Sequence, residues 1–194
     1  MNFFMRPLLF FPLAIIAAGL IVVIGLEPQR WARAAHAVDG AMEGQTLILT
    51  GEAFDAPSPS PEQHVKVHRS FWGVPKSFSI AVLPNQPEPT PAERGVRLLL
   101  SPEAAAALQD RPVIVEVDYN PLNMNTASGL AVSLQGIAPA DWVIQEISAQ
   151  TGSVRFELPA QFAVDAIGLR AMSHNDDQAY GLEITSIRIT PSGA

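Results

Sequence analysis

The sequence predicts a mainly β chain, an antiparallel β-sandwich preceded by a single transmembrane helix. Three observations lead to this. The run from Pro7 to Leu26 contains no charged residue. From Thr46 onward, apolar residues recur at period two in about nine or ten short segments. The connections between those segments are rich in Pro, Gly, Asn, Asp and Ser, the residues that turn a chain.

Composition narrows the function. The 194 residues are 48% hydrophobic and 16% charged, with 12 Lys and Arg against 19 Asp and Glu, a net charge of −7, and no cysteine. Disulfide scaffolds, cysteine–zinc modules and thiol enzymes are excluded. A nucleic-acid partner is not expected, because phosphate binding needs a basic surface. From Gln45 on, 9 basic residues face 16 acidic ones, so the −7 belongs to the part after the apolar run and opposes direct adhesion of that part to anionic lipid.

The elements follow in order. Residues 1–6 form a short head. Residues 7–26, at about 1.5 Å rise per residue, make a helix of about 30 Å, the thickness of a bilayer core. Pro7 and Pro12 sit in its first turns, where a missing N–H costs least. The run exceeds a secretory h-region, and Ala35-His36-Ala37 lies too far past its end for cleavage, so the expectation is an uncleaved anchor. Arg6 on one flank and Arg30 and Arg33 on the other nearly balance. The short head and long following domain place the domain outside the cytoplasm, and Trp31 sits where an interfacial aromatic would. Residues 27–44 read as a juxtamembrane helix or linker, and 45–194 as the sandwich domain.

Within the domain the strands are TLILT (46–50), HVKVHRS (64–70), SFSIAVL (77–83), VRLLL (96–100), VIVEVDY (113–119), GLAVSLQG (129–136), DWVIQEIS (141–148), SVRFEL (153–158), AIGLRAM (166–172) and GLEITSIRI (181–189). Val113, Val115, Val117 and Tyr119 share an inward face, as do Leu130, Val132 and Leu134, then Val154, Phe156 and Leu158, then Ile167 and Leu169, with Arg170 outward. The last strand changes parity, since Leu182 and Ile184 are even and Ile187 and Ile189 odd, so a bulge is expected near Thr185-Ser186. Ser101 and Pro102 start a short helix over 101–110. DAPSPSPEQ (55–63) and PNQPEPTPAE (84–93) read as proline-rich loops, the second long, exposed and extended.

From Val113 onward the order VIVEVDY, GLAVSLQG, SVRFELPA, AIGLRAM, a polar turn and GLEITSIRITP resembles the end of a jelly-roll sandwich of the galactose-binding-like, carbohydrate-binding-module type. The resemblance covers about 80 residues, within the size of one sandwich domain. It implies a jelly-roll-like fold and sugar binding on a sheet face or at the loops. The same sandwich also serves protein–protein contacts.

Candidate site residues are few. Trp72, Trp142 and Tyr180 are the rings available to stack on a pyranose, and Trp72 lies in a probable turn. Asn120, Asn123 and Asn125 crowd one loop, where they either bind a ligand's hydroxyls or brace a turn. Asp118 there, with Asp176 and Asp177 in a second polar loop, are the candidates for Ca²⁺. His64 and His68, about 13 Å apart on a strand, are too far apart to share a metal and read as a solvent-facing basic strip with Lys66. No G-x-S-x-G elbow, phosphate loop or H-E-x-x-H motif is present. The expectation is therefore a non-enzymatic, cofactor-free binding module. It would sit in the inner membrane by a single pass, with its domain periplasmic, and its partners would be the bilayer and an envelope glycan. The alternative is an accessory subunit of a larger membrane complex, capping its partners with the sandwich.

Overall fold

The computed structural model describes residues 7–26, 33–84, 95–123, 125–136, 141–174 and 177–192, with α1 side chains from Phe11 to Ile21. The head (1–6), Trp31, most of the 84–93 loop and Asp176 lie outside the described residues. The chain divides into two units, Met1–Ala32 and Arg33–Ala194.

In the first unit, helix α1 (Pro7–Leu26) covers the uncharged run. Its described side chains are all exposed. Among the described residues no helix is long and apolar enough to cross a membrane.

The second unit is two antiparallel sheets around one core. Eleven strands form in chain order: β1 (Ala41–Glu43), β2 (Thr46–Leu49), β3 (Gln63–Arg69), β4 (Pro75–Val82), β5 (Val96–Leu99), β6 (Val113–Pro121), β7 (Gly129–Gln135), β8 (Val143–Glu146), β9 (Gly152–Leu158), β10 (Ala166–Met172) and β11 (Tyr180–Pro191). In the seven-stranded sheet β11 pairs with β6 along its length, and β6 with β9. On its other side β11 pairs first with β4 and then with β2, whose partners are β3 and β1. The four-stranded sheet runs β5-β10-β7-β8. The ladder shifts between Ile184 and Ser186, where the sequence changes parity.

The inward rows expected from alternation are buried at Val113, Val115, Val117 and Tyr119; Leu130, Val132 and Leu134; Phe156 and Leu158; and Ile167 and Leu169, while Val154 is half-buried against the edge of the core. They close on Phe54, Phe78 and Ile80, with the Phe54 and Phe78 rings edge to face at 5.0 Å. Helix α2 (Pro102–Leu108) starts as its sequence dictates, Ala104 N donating to the Ser101 hydroxyl at 3.3 Å, and buries Ala104, Ala105 and Leu108.

One expectation is corrected. Residues 33–44 are not helical. Val38 bridges Leu100, and Ala41–Glu43 form β1 against β2. Gly40 lies at φ +66°, and a Cβ there would come within 2.9 Å of the Leu47 and Leu49 side chains and the Ile48 carbonyl, so this stretch turns tightly onto β2. The domain therefore starts at Arg33 rather than at 45.

The start of the domain is tied to the β3–β4 hairpin through one carboxylate. Asp55 accepts from Arg33 Nη1 at 2.8 Å and from Arg69 Nη1, while Arg69 Nη2 donates to the Asp55 carbonyl at 2.7 Å. Burial alone would raise the Asp55 carboxyl. Hydrogen bonds from Arg69 and Arg33, with attraction to both guanidinium charges, outweigh it and hold the group below its ordinary value.

Two outcomes follow for stability. Phe78→Ala should lower the unfolding free energy by about 3–5 kcal/mol, read as a fall in the urea midpoint at unchanged slope. Because the folded Asp55 pKa is depressed, its contribution is full above the unfolded value of about 3.9 and is lost as pH falls through the folded one. The gap in urea midpoint between the natural chain and Asp55→Asn should accordingly be widest near neutrality and close in acid. A gap constant from pH 7 to pH 3 would contradict this.

Candidate functional site

The rings singled out in the sequence do not meet. Trp72 lies in the β3–β4 turn, Trp142 just before β8 in the four-stranded sheet, and Tyr180 at the start of β11 in the other. Tyr180 pairs with Val82 and packs against the core, so its ring serves packing. The asparagines brace loops and strands. Asn120 donates to Glu183 Oε2 at 3.4 Å and accepts from the Thr151 hydroxyl at 3.0 Å. Asn125, at φ +43°, donates to Gln178 Oε1 at 2.9 Å, and Asn123 is exposed. Asp118 is engaged by Arg188 at 3.2 Å, which occupies the charge a Ca²⁺ ion would need. Among the described residues no group of three or more His, Asp or Glu is arranged to hold a metal.

One polar array does form, on the outer face of the four-stranded sheet. The parity that turns Leu130, Val132 and Leu134 inward turns Ala131, Ser133 and Gln135 outward, and Gly168 and Arg170 share their face. Gly168 pairs with Ser133 on one side and Arg97 on the other. One step past the Val132–Val143 pair, Trp142 joins the row beside Ser133. The row thus runs Trp142, Ser133, Gly168, Arg97 across the sheet, with small residues at its centre.

Larger side chains fold over that centre. Gln135 Nε2 donates to the Ser133 hydroxyl at 3.2 Å and lies where a Cβ on Gly168 would sit, 2.0 Å away, so only glycine fits there. The Arg170 guanidinium stacks on the Trp142 ring at 4.3 Å. Arg97 Nη2 pairs with Asp165 Oδ1 at 3.1 Å at the far end of the row. Ser133, Gln135 and Arg170 are 0%, 1% and 6% exposed, whereas Trp142 and Arg97 are partly open. The ring is therefore the outer member of the Arg–Trp pair. Among the described residues, Trp142 Nε1 and Arg97 Nε are buried and meet no acceptor, one at each end of the row.

Alternation alone does not reveal this array, because it reads Arg170 as a solvent-facing residue. The available signal was composition: AIGLRAM and GLAVSLQG put Gly168, Ser133 and Ala131 beside Arg170 and Gln135, an outward face too poor in charge for open water. A concavity of about 450 Å³ lies elsewhere, lined by His36, Asp39, Thr50 and Glu52 among others, with no Trp, Tyr or Phe among its described lining residues. Hydrogen bonds from the Ser153 hydroxyl and Arg188 hold Glu116 below its ordinary value, away from the raised range of a general acid.

No family model and no curated protein matches the chain. It is similar to solved carbohydrate-binding modules, in keeping with the resemblance seen in its strand order. The BiXyn10A CBM1 module in its apo form matches at 7% identity and TM-score 0.48, over 81% of this chain and 100% of that one. The CBM22-1 xylan-binding domain from Paenibacillus barcinonensis Xyn10C matches at 11% and 0.47, over 81% and 99%. A module of Cellvibrio mixtus lichenase 5A, solved with cellotriose, matches at 15% and 0.37, over 75% and 96%. At these values the likeness assigns neither ligand nor residues, and the site is read from this chain's own geometry.

The packing makes one local prediction. Gly168→Ala must displace Gln135 from the floor of the array and should destabilise the domain by about 1–3 kcal/mol. Combining it with Gln135→Ala, which removes the obstructing amide, should recover part of that loss in a urea titration.

Proposed function

We propose that this chain is a non-enzymatic glycan-binding module held to the membrane by α1, with its domain outside the cytoplasm. The observation that carries the binding reading is the Trp142 row. A partly open indole backed by a guanidinium stands beside buried hydroxyl, amide and guanidinium groups, and two N–H donors there meet no acceptor among the described residues. An indole face packs on the apolar C–H face of a pyranose, and the partly open Arg97 guanidinium offers N–H donors to the sugar's hydroxyl oxygens. The lowered Glu116 carboxyl and the absence of a nucleophile motif in the sequence support binding over turnover. Support for the anchor is the uncharged Pro7–Leu26 run and the helix of the same extent.

The test is calorimetric titration of the detergent-solubilised full chain with cellotriose and xylo-oligosaccharides, the ligand types named for the similar modules. Binding should weaken about tenfold or more in Trp142→Ala, the scale expected when an aromatic anchor is lost. It should also weaken in Arg97→Met, which alters the far end of the row, and should hold within about twofold in Trp72→Ala. Circular dichroism confirms that each variant is folded. Binding indifferent to Trp142 and Arg97, or absent across a wide panel of neutral oligosaccharides at millimolar concentration, would refute the proposal.

A further inference from the structure

The most exposed aromatic pair belongs to no part of the Trp142 row. Phe71, Trp72 and Val74 are 79%, 85% and 48% exposed at the tip of the β3–β4 hairpin. Such exposure normally marks a loose loop, yet this turn is firmly built. Ser70 N donates to the Val74 carbonyl at 2.7 Å, Gly73 N to the Ser70 carbonyl at 2.9 Å, and Val74 N to the Ser70 hydroxyl at 3.1 Å. Gly73 takes φ +81°, and Arg69 Nη1 reaches its carbonyl at 3.3 Å. The Phe71 and Trp72 rings brace each other edge to face at 5.1 Å. The turn thus holds three apolar side chains outward from a closed backbone.

We infer that this tip is a bilayer-docking wedge, with Phe71, Trp72 and Val74 entering the boundary between headgroups and acyl chains. The occupant is argued from chemistry. No charged residue lies between Ser70 and Pro75, and the Ser70 hydroxyl is used within the turn. A sugar would find no polar side chain there to take its hydroxyls. The edge-to-face rings make a corner rather than a flat platform. Trp beside Phe and Val is the composition that settles at a membrane interface, the indole N–H staying with the headgroups.

The local charge is balanced although the domain is acidic. Arg33, Arg69 and the exposed Lys76 stand against Asp55, Glu52 and Glu183, whose carboxylate accepts from the Ser77 hydroxyl, at this end of the domain. The inference rests on the anchored reading above. Arg33 belongs to the same Asp55 ion cluster as Arg69, two positions before Phe71, and only residues 27–32 separate it from the apolar run in sequence. A bilayer that holds the run is thus tethered through a short stretch of chain to the base of the hairpin, at a high effective concentration.

The chain contains no cysteine, so single nitroxide labels can be placed freely in the full-length protein in lipid nanodiscs. Three positions suffice: Val74→Cys at the tip, Asn123→Cys beyond the far end of β4, and Ile16→Cys within α1. Oxygen, which concentrates in lipid, and a water-soluble nickel chelate report what surrounds each label. The Val74 label should show an oxygen-to-nickel accessibility ratio at least several-fold above that of the Asn123 label, with the Ile16 label higher still. If the Ile16 label is lipid-exposed while the Val74 label is as open to nickel as the Asn123 label, the wedge is overturned and the anchor stands. A Val74 label shielded from both reagents would mean that a protein surface, such as a second copy, covers the tip, which also overturns it. An Ile16 label open to nickel overturns the anchored reading, and the wedge falls with it.

Discussion

Strand β11 is the element on which the larger sheet depends. It is the only described strand with two successive partners on one edge, β4 and then β2, while its other edge stays zipped to β6. A regular strand would carry one set of side chains inward throughout. The offset between Ile184 and Ser186 lets Leu182 and Ile184 face the core before it, and Ile187 and Ile189 after it. Without that offset, half of the strand would turn apolar side chains to water. The β3–β4 hairpin and the β1–β2 hairpin hang from successive parts of this strand, so the position of the wedge and the entry of the chain into the domain both derive from it.

The smaller sheet solves a different problem. Both faces of β7 and β10 are buried, one by the common core and the other within the polar array. A polar layer of this kind costs free energy unless its groups are paired. Most are: Gln135 with Ser133, Arg97 with Asp165, and Arg170 with the Trp142 ring. At the two ends of the row, Trp142 Nε1 and Arg97 Nε meet no acceptor among the described residues. Such a distribution suits recognition, since a ligand that brings acceptors completes a network whose other members are already held.

Much of this was legible in the sequence, and the failures share a cause. Alternation located the inward rows from Val113 to Leu169, and the parity change located the offset in β11, because side-chain period is a direct consequence of strand geometry. The Ser101–Pro102 start of α2 was equally local. Alternation states which side of a sheet a residue occupies, however, and not what lies over that side. Arg170 was therefore placed on the correct face and in the wrong surroundings. The three rings were grouped by chemistry, and topology dispersed them to a hairpin tip, a sheet face and a core edge. The stretch after Ala32 looked helical from its alanines, yet its partners, β2 and Leu100, are distant in sequence or reached only through a tight turn at Gly40.

The attachment of that first stretch has a mechanical meaning. Tension applied through the N-terminal end of the domain meets the Arg33–Asp55 pair first, then Val38, whose N–H and carbonyl are clasped by Leu99 and Ser101 at 2.8 and 2.9 Å. Beyond it the three residues of β1 would peel from β2 one rung after another, a geometry that yields at low force, while β2 itself is flanked by β11. The outermost hairpin is thus a compliant element in series with the sandwich. Losing its three rungs would still leave β2 paired with β11, and so the edge of the sheet closed behind it.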